Sequence, residues 1–196
     1  MRLLLVPLAL LLAGCASPAP QNDSTPAPGS AGPLTIASSA FQDGATLPKD
    51  FTCDGAGTSP PLRIAGVPAE AAEVALVVGD PDAPLPQAPQ QNFTHWAVWH
   101  LAPVAGVVTF DAGKPPAGAR EGQSSGGGNG WTPPCPPQYS TAHRYVFTAY
   151  AMRAPLDVPA GATRAQLDAA MQGKVLAQAS MQATYMRAIT RPWPQP

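Results

Sequence analysis

Proline and glycine constrain the fold of this chain more than any other feature of its sequence. The 196 residues include 26 prolines and 18 glycines. Proline removes a backbone donor and glycine carries a large conformational entropy, so both interrupt helices. The sequence therefore predicts many turns and short strands, and it excludes a bundle of long helices.

The remaining composition indicates a folded protein with no nucleic-acid partner. Hydrophobic residues make up 45% of the chain and charged residues only 12%, whereas disordered chains are poor in apolar residues and rich in charge. The 11 basic and 12 acidic side chains leave a formal charge of −1. Because proteins that bind a phosphate backbone are more basic than this, we expect no nucleic-acid binding.

The N-terminus has the pattern of an exported lipoprotein. Arg2 precedes the apolar run Leu3 to Leu12, which is too short to span a membrane and has the length of a signal-peptide core. The run ends in LAGC, which resembles the bacterial lipobox and implies cleavage before Cys15 and lipidation of that cysteine. With Ala16 next, we expect a lipid-anchored protein of the bacterial envelope, on the periplasmic face of the outer membrane.

One folded domain follows the signal peptide of residues 1–14. Residues 15–33 comprise the lipidated cysteine and a tether rich in Pro, Ala and Ser, which cannot bury enough apolar surface to offset the entropy of ordering. Residues 34–190 have the size of a single domain, and residues 191–196 form a tail.

Strands are predicted in the middle of the chain and helices near its end. The predicted strands are Leu34–Ser38, Glu73–Gly79, Phe93–Leu101, Val107–Phe110 and Arg144–Met152. Prolines remove ladder donors, so the second strand is expected to end at Asp80. Thr163–Met171 is predicted as a helix capped by Thr163, Lys174–Met181 as a further helical segment, and Ala183–Ala188 as an edge strand.

A long loop separates the last two central strands. Gly113 to Tyr139 contains the glycine-rich stretch Gly122–Gly130 and then the run PPCPP. Loops of this length inside a compact domain are uncommon and are usually functional or disordered.

Four polar residues at predicted strand ends or beside proline loops are candidates for a site: Asp80, Asp82, His95 and His143. Singly, each is explained by turn chemistry or by an ordinary structural role. Their order along the chain is more specific, because DPDAP, FTHW, CPP and HRY follow one another.

This ordered set resembles the phosphatidylethanolamine-binding protein family, also called Raf-kinase-inhibitor-like, and in particular its bacterial branch. The resemblance covers about Leu34 to Arg187 and includes FTCDGAGTSPPL, THWAVW, HRYVFTAYA and VLAQASMQATYMR. It implies a mainly β fold, an antiparallel β-sandwich with short C-terminal helices, and a small surface pocket for phosphate-like anions. The implied pocket residues are Asp80, His95, Pro136, Pro137, His143 and Tyr145, with Asp82 beside them.

The chemistry of these side chains suits an anion. Two imidazoles can hold an anion when at least one is protonated, and a nearby carboxylate favours the protonated form. We expect Asp80 to orient His95, and Tyr145 to share a strand face with His143. Carbonyls of Pro136 and Pro137 can accept from the ammonium or hydroxyl end of a head group.

Two other features bear on the site. Cys53 and Cys135 are predicted to form a disulfide in an oxidising envelope, although both could remain reduced, with Cys53 as a small buried residue. The resemblance implies that the loop carrying Cys53 and the loop carrying Cys135 both lie near the pocket. His100 is expected to point away from His95 on a regular strand and is left out of the site.

The predicted function is binding of a small anionic or phosphorylated ligand, with no cofactor and no enzymatic activity. A protein-interaction or inhibitor module acting on a kinase, hydrolase or host partner remains the alternative. A metal site is disfavoured because the histidines and aspartates lack compact ligand spacing. A hydrolase is disfavoured because the sequence has no GxSxG motif.

Overall fold

The computed structural model describes residues 32–85 and 88–188. Within these residues it has eight strands, one α-helix and one 3₁₀ helix. The strands are β1 (Thr35–Ala37), β2 (Leu62–Ala65), β3 (Glu73–Leu85), β4 (Ala88–Leu101), β5 (Val107–Phe110), β6 (Arg120–Glu121), β7 (His143–Met152) and β8 (Val175–Tyr185); the helices are the 3₁₀ helix Lys49–Phe51 and α1 (Arg164–Met171). The predicted signal peptide, Cys15, nearly all of the tether and the tail lie outside the described residues.

The strands form two antiparallel sheets, as predicted. One sheet has the order β1-β2-β5 and the other β6-β4-β3-β7-β8. Alternate side chains of both sheets face each other, so Ile64 and Phe110 of the smaller sheet share one buried cluster with Leu76, Trp96 and Phe147 of the larger. This shared core makes the domain a β-sandwich.

The outer face of the larger sheet packs against α1. Val77 and Trp99 on this face are buried together with Leu167 and Met171 of the helix. Thr163 caps the helix, and its hydroxyl accepts a hydrogen bond from the backbone N–H of Gln166. The predicted helix and its cap are therefore confirmed. No helix in the two described ranges is long and apolar enough to cross a membrane.

The prediction of a second helical segment over Lys174–Met181 is wrong. These residues belong mostly to β8, which pairs with β7 from Tyr185 opposite His143 to Val175 opposite Met152. The inward side chains Ala179 and Met181 alternate with exposed polar ones, and this period of two suits a strand. Of the predicted edge strand over Ala183–Ala188, Ala183 to Tyr185 form the end of β8, and residues 186–188 lie beyond the strand.

The prediction that the second strand ends at Asp80 is also wrong. β3 continues through the DPDAP motif to Leu85. Its ladder with β4 is irregular between Val78 and Gly79 and again between Asp80 and Pro84. Where the ladder is irregular, the strand does not need a backbone N–H donor at every position, so prolines can lie within it.

The long loop after β5 is ordered along β4. It contains β6, and backbone N–H groups of Gly122 and Ser125 donate to the carbonyls of Ala97 and Thr94. The N–H of Thr132 donates to the carbonyl of His95. The loop therefore extends the sheet beside the strand that carries His95.

Candidate functional site

A small pocket lies where β3, β4 and β7 meet the proline-rich part of the long loop. Its volume is about 140 Å³. The described residues that line it are Asp80, Ala83, Phe93, His95, Thr132, Pro133, Cys135, Pro136, Pro137, His143 and Tyr145. The sheet supplies the titratable side chains, and the loop supplies most of the apolar wall.

Asp80 lies between the two histidines. Its Oδ2 accepts a hydrogen bond from Nδ1 of His143 at 2.8 Å and lies 3.9 Å from Nε2 of His95. Its Oδ1 accepts from the backbone N–H of Asp82. Asp80 is only 2% exposed. Burial opposes its ionisation, but the interactions with His95 and His143 and the Asp82 N–H outweigh burial and lower the pKa of Asp80.

Of the two histidines, His143 therefore lies closer to Asp80, whereas the sequence had suggested that Asp80 orients His95. His95 is oriented mainly by the loop, because its Nδ1 lies 2.7 Å from the carbonyl oxygen of Thr132. The ring centroids of Phe93 and Tyr145 lie 4.7 Å and 5.1 Å from that of His95, the Tyr145 and His95 rings in a T-shaped arrangement. Both imidazoles are thus held on the pocket wall by fixed partners.

Asp82 lies beside the pocket and is not among its lining residues. Its two carboxylate oxygens accept from the guanidinium of Arg144, and Oδ2 also accepts from the Arg144 backbone N–H at 2.8 Å. The hydrogen bonds from Arg144 lower the pKa of Asp82. This pair ties β3 to the residue that follows His143, so Asp82 holds the start of β7 in place.

The other predicted residues, Tyr145, Pro136 and Pro137, also line the pocket. Tyr145 is fully buried, and burial, followed by the charges of Asp80 and Asp82, raises the pKa of its hydroxyl. Pro136 and Pro137 form part of the wall. Phe93 and Thr132 also line the pocket but were not predicted as site residues, although Phe93 belongs to the FTHW motif and Thr132 directly precedes the PPCPP run.

His100 lies outside the pocket, as predicted. Its Nδ1 contacts Oε2 of the buried Glu73 at 2.8 Å. His100 has a φ of 58° and lies where the β3–β4 register shifts, so a bulge turns its side chain towards Glu73.

The predicted disulfide is present and borders the pocket. Cys53 and Cys135 are bridged, with Cα atoms 5.3 Å apart, and Cys135 lines the pocket. The N–H of Cys53 donates to the carbonyl of Pro134. The neighbouring Asp54 accepts from the hydroxyl of Tyr185 at 2.6 Å and from the guanidinium of Arg187. The loop that carries Cys53 is therefore attached to both the proline wall and the end of β8.

The described residues contain no group of three or more histidine, cysteine, aspartate or glutamate side chains arranged to hold a metal ion. The pocket instead combines one carboxylate and two imidazoles with an apolar wall. Such a set can exchange protons and form hydrogen bonds with a small polar ligand.

Comparisons with known proteins agree with this architecture. The family model described as phosphatidylethanolamine-binding protein matches residues 37–186. LppC of Mycobacterium tuberculosis, named a "putative lipoprotein", is 44% identical over 83% of this chain and 76% of its own length. The structure of the phosphatidylethanolamine-binding protein homolog CT736 of Chlamydia trachomatis superposes with a TM-score of 0.72 at 37% identity, covering 79% of this chain and 98% of that one.

A second structure, that of YBCL of Escherichia coli, has a TM-score of 0.70 at 26% identity and covers 80% of this chain and 99% of its own. The family match spans every strand that supplies a side chain to the pocket, from β3 to β7. The chain therefore belongs to the phosphatidylethanolamine-binding protein family.

Proposed function

We propose that the pocket binds a small anionic or phosphorylated ligand, such as a phospholipid head group. The observation that carries the proposal is the Asp80-linked pair of imidazoles at the wall of a pocket of about 140 Å³. This volume is well below the roughly 300–1,000 Å³ of pockets for drug-sized ligands. It suits a head group and not a whole lipid.

The contacts of the two histidines define which nitrogen exchanges protons. Nδ1 of His95 faces a backbone carbonyl, and Nδ1 of His143 faces the Asp80 carboxylate. Both partners are acceptors, so each Nδ1 carries a hydrogen. A second proton on either ring therefore adds at Nε2.

The charge of the pocket follows from these protonation states. With both imidazoles neutral, ionised Asp80 gives the cluster a negative charge that repels an anion. With both imidazoles protonated, the net charge is positive. Because deprotonation of the imidazoles removes this positive charge, anion affinity should fall as the pH is raised. Binding should be accompanied by proton uptake.

Calorimetric titration of the protein with inorganic phosphate and with phosphoethanolamine tests this proposal. We expect His95→Ala and His143→Ala to abolish binding, because each removes one imidazole from the wall. His100→Ala is the matched control, since His100 contacts Glu73 outside the pocket, and it should bind as the wild type does.

Unchanged binding in both pocket variants would exclude the site. Zn²⁺ binding at micromolar affinity together with no phosphate binding would also overturn the proposal, because it would make the imidazoles metal ligands. Comparing phosphate with phosphoethanolamine separates recognition of the free anion from recognition of a head group with an ammonium.

We also propose that a lipid on Cys15 anchors the protein to a membrane. This anchor is supported by the LAGC motif and by the similarity to LppC, which is named as a lipoprotein. The tether from Ala16 onward would carry the domain into the periplasm, where a disulfide can form and persist.

Membrane fractionation and mass spectrometry of the N-terminal peptide test the anchor. We expect the wild type to be acylated at Cys15 and to fractionate with the outer membrane, and Cys15→Ser to be unacylated and released or mislocalised. Ala16→Asp should retain acylation but redirect the protein to the inner membrane in an enterobacterial host. A wild-type chain without acylation would refute the anchor.

A further inference from the structure

A second cleft lies beside the segments that border the candidate pocket. Gln138, next to Pro137 of the pocket wall, and Asp54, next to Cys53 of the disulfide, both line it. Its volume is about 320 Å³, which lies in the range of roughly 300–1,000 Å³ for small-molecule pockets. It shares no described lining residue with the candidate pocket. The side chains that define this basic cleft are Lys49, Asp54, Tyr185, Met186 and Arg187.

Asp54 and Arg187 compensate each other's charge inside the cleft. Nε and Nη2 of Arg187 donate to Oδ1 of Asp54 at 3.1 Å, and the hydroxyl of Tyr185 donates to Oδ2 at 2.6 Å. The hydrogen bond from Arg187, followed by that from Tyr185, lowers the pKa of Asp54. Burial and then the hydrogen bond to Asp54 raise the pKa of Tyr185. Asp54 is therefore ionised and Tyr185 neutral around neutral pH.

Lys49 adds a positive charge that no described carboxylate pairs with. It is the first residue of the 3₁₀ helix, and its carbonyl accepts from both the backbone N–H and the hydroxyl of Thr52 at 2.9 Å. Its backbone is therefore fixed at the cleft. Within residues 32–85 and 88–188, Lys49 forms no salt bridge. The described lining thus has two cations and one carboxylate, and a net positive charge.

Arg187 keeps hydrogen-bond donors for a ligand. Asp54 occupies only the Nε and Nη2 side of the guanidinium. In the described part of the chain, Nη1 of Arg187 donates to no acceptor. Nη1 and the second hydrogen of Nη2 form a planar edge, which suits two oxygens of a carboxylate or a phosphate.

The cleft also has an apolar side. Met186 follows β8 and is 56% exposed, and Ala188 lies beside it in the lining. The methionine side chain is flexible and polarisable, so it adapts to apolar groups of different shape. A bare oxyanion would contact the cations and leave this side uncovered, whereas an organic anion can contact both sides.

We propose that the basic cleft is a second ligand site, which binds a small organic anion through its carboxylate or phosphate on Lys49 and Arg187 and its apolar part on Met186. The site is independent of the function proposed above for the pocket. No histidine is among its described lining residues, so removal of the pocket imidazoles leaves its charge unchanged.

Nuclear magnetic resonance titration of the full chain carrying both His95→Ala and His143→Ala tests the cleft alone. The probes are hexanoate and hexyl phosphate, and the backbone amides of Asp54 and Arg187 report binding. We expect saturable shifts of these amides with at least one probe, and the probe that binds identifies the head group. Acetate or inorganic phosphate, the same head group without the chain, should bind about tenfold more weakly, because burying roughly two CH₂ groups contributes this difference.

Lys49→Glu in the same background should abolish these shifts, because it makes the net charge of the cleft negative. Lys114→Glu is the matched control, since Lys114 is an exposed lysine outside the cleft, and it should bind as the background protein does. Arg187→Lys keeps a positive charge beside Asp54 but lacks the paired donors, so it should bind more weakly.

Three results would overturn the proposal: no saturable shift with either hexyl probe, equal affinity of Lys49→Glu and Lys114→Glu, or equal affinity for probes with and without the chain. Lys49→Glu in the otherwise wild-type protein should still bind phosphate in the pocket. Failure of the cleft proposal is therefore distinguishable from failure of the pocket proposal.

Discussion

At the scale of single residues, Asp80 connects the two histidines of the candidate site. It accepts from His143 and from the Asp82 N–H, and it lies within 3.9 Å of His95. Despite burial, these interactions favour its ionised form and lower its pKa. The folded state therefore binds a proton at this carboxyl less readily than the unfolded state does.

This lowered pKa predicts how acid affects stability. The stabilisation contributed by Asp80 is fully present above the unfolded-state pKa and is lost as the pH falls through the lower folded-state pKa. We expect the melting temperature of the wild type to drop between about pH 5 and pH 3 more steeply than that of Asp80→Asn. Thermal unfolding across this range measures both slopes. Asp111→Asn, at an exposed position, should keep the wild-type slope, and equal slopes for the wild type and Asp80→Asn would contradict the prediction.

At the scale of elements, α1 covers the outer face of the sheet that carries the site. It buries Leu167 and Met171 against that sheet. The helix has only eight residues and would be marginal alone. Its stability therefore depends on packing and on its capping box, in which Thr163 and Gln166 satisfy each other's backbone N–H groups.

The cap leads to a prediction for Thr163. Replacing Thr163 with Ala removes the acceptor for the Gln166 N–H and should lower the free energy of unfolding by about 1 kcal/mol. Thr163→Ser retains a hydroxyl and should remain close to the wild type. Urea unfolding followed by circular dichroism measures the difference. An Ala variant as stable as the wild type would show that packing alone maintains the helix end.

At the scale of the whole molecule, the disulfide joins parts of the chain that are far apart in sequence. Cys53 and Cys135 are separated by 82 residues, and the enclosed segment contains β2 to β6. Since Cys135 precedes Pro136 and Pro137 in the pocket wall, the bridge couples global stability to the shape of the site.

Reduction should therefore affect stability and ligand binding together. For a loop of 82 residues, the chain-entropy model gives a stabilisation of about 4 kcal/mol before native-state strain is subtracted. We expect the double variant Cys53→Ser with Cys135→Ser to melt at a lower temperature and to bind phosphate more weakly than the oxidised protein. Calorimetry of both proteins provides both quantities. Weaker stability with unchanged phosphate affinity would show that the wall keeps its shape without the bridge.

Much of the architecture could be predicted from local pattern. Runs rich in β-branched and aromatic residues, and alternation in Arg144–Met152, located the central strands, since such residues suit a pleated sheet surface. Thr163 marked the start of α1, because a capping hydroxyl acts on its own helix turn. Cys53 and Cys135 were a candidate disulfide pair because they are the two cysteines besides Cys15, the predicted lipidation site, and an oxidising envelope favours a bridge. Asp80, His95 and His143 were selected by the order of their motifs, which resembles that of the family.

Only the tertiary structure decided which groups interact within the site and which segments join the sheet. Both β4 and β7 flank β3, but Nδ1 of His143 lies 2.8 Å from Asp80 Oδ2 whereas Nε2 of His95 lies 3.9 Å away. The carbonyl of Thr132 orients His95 because the long loop runs beside β4. Lys174–Met181 has residues compatible with a helix, yet most of it is a strand because the open side of β7 supplies its hydrogen bonds. Local sequence determines the preference and face of each segment, whereas partners distant in the chain are determined by strand order and packing.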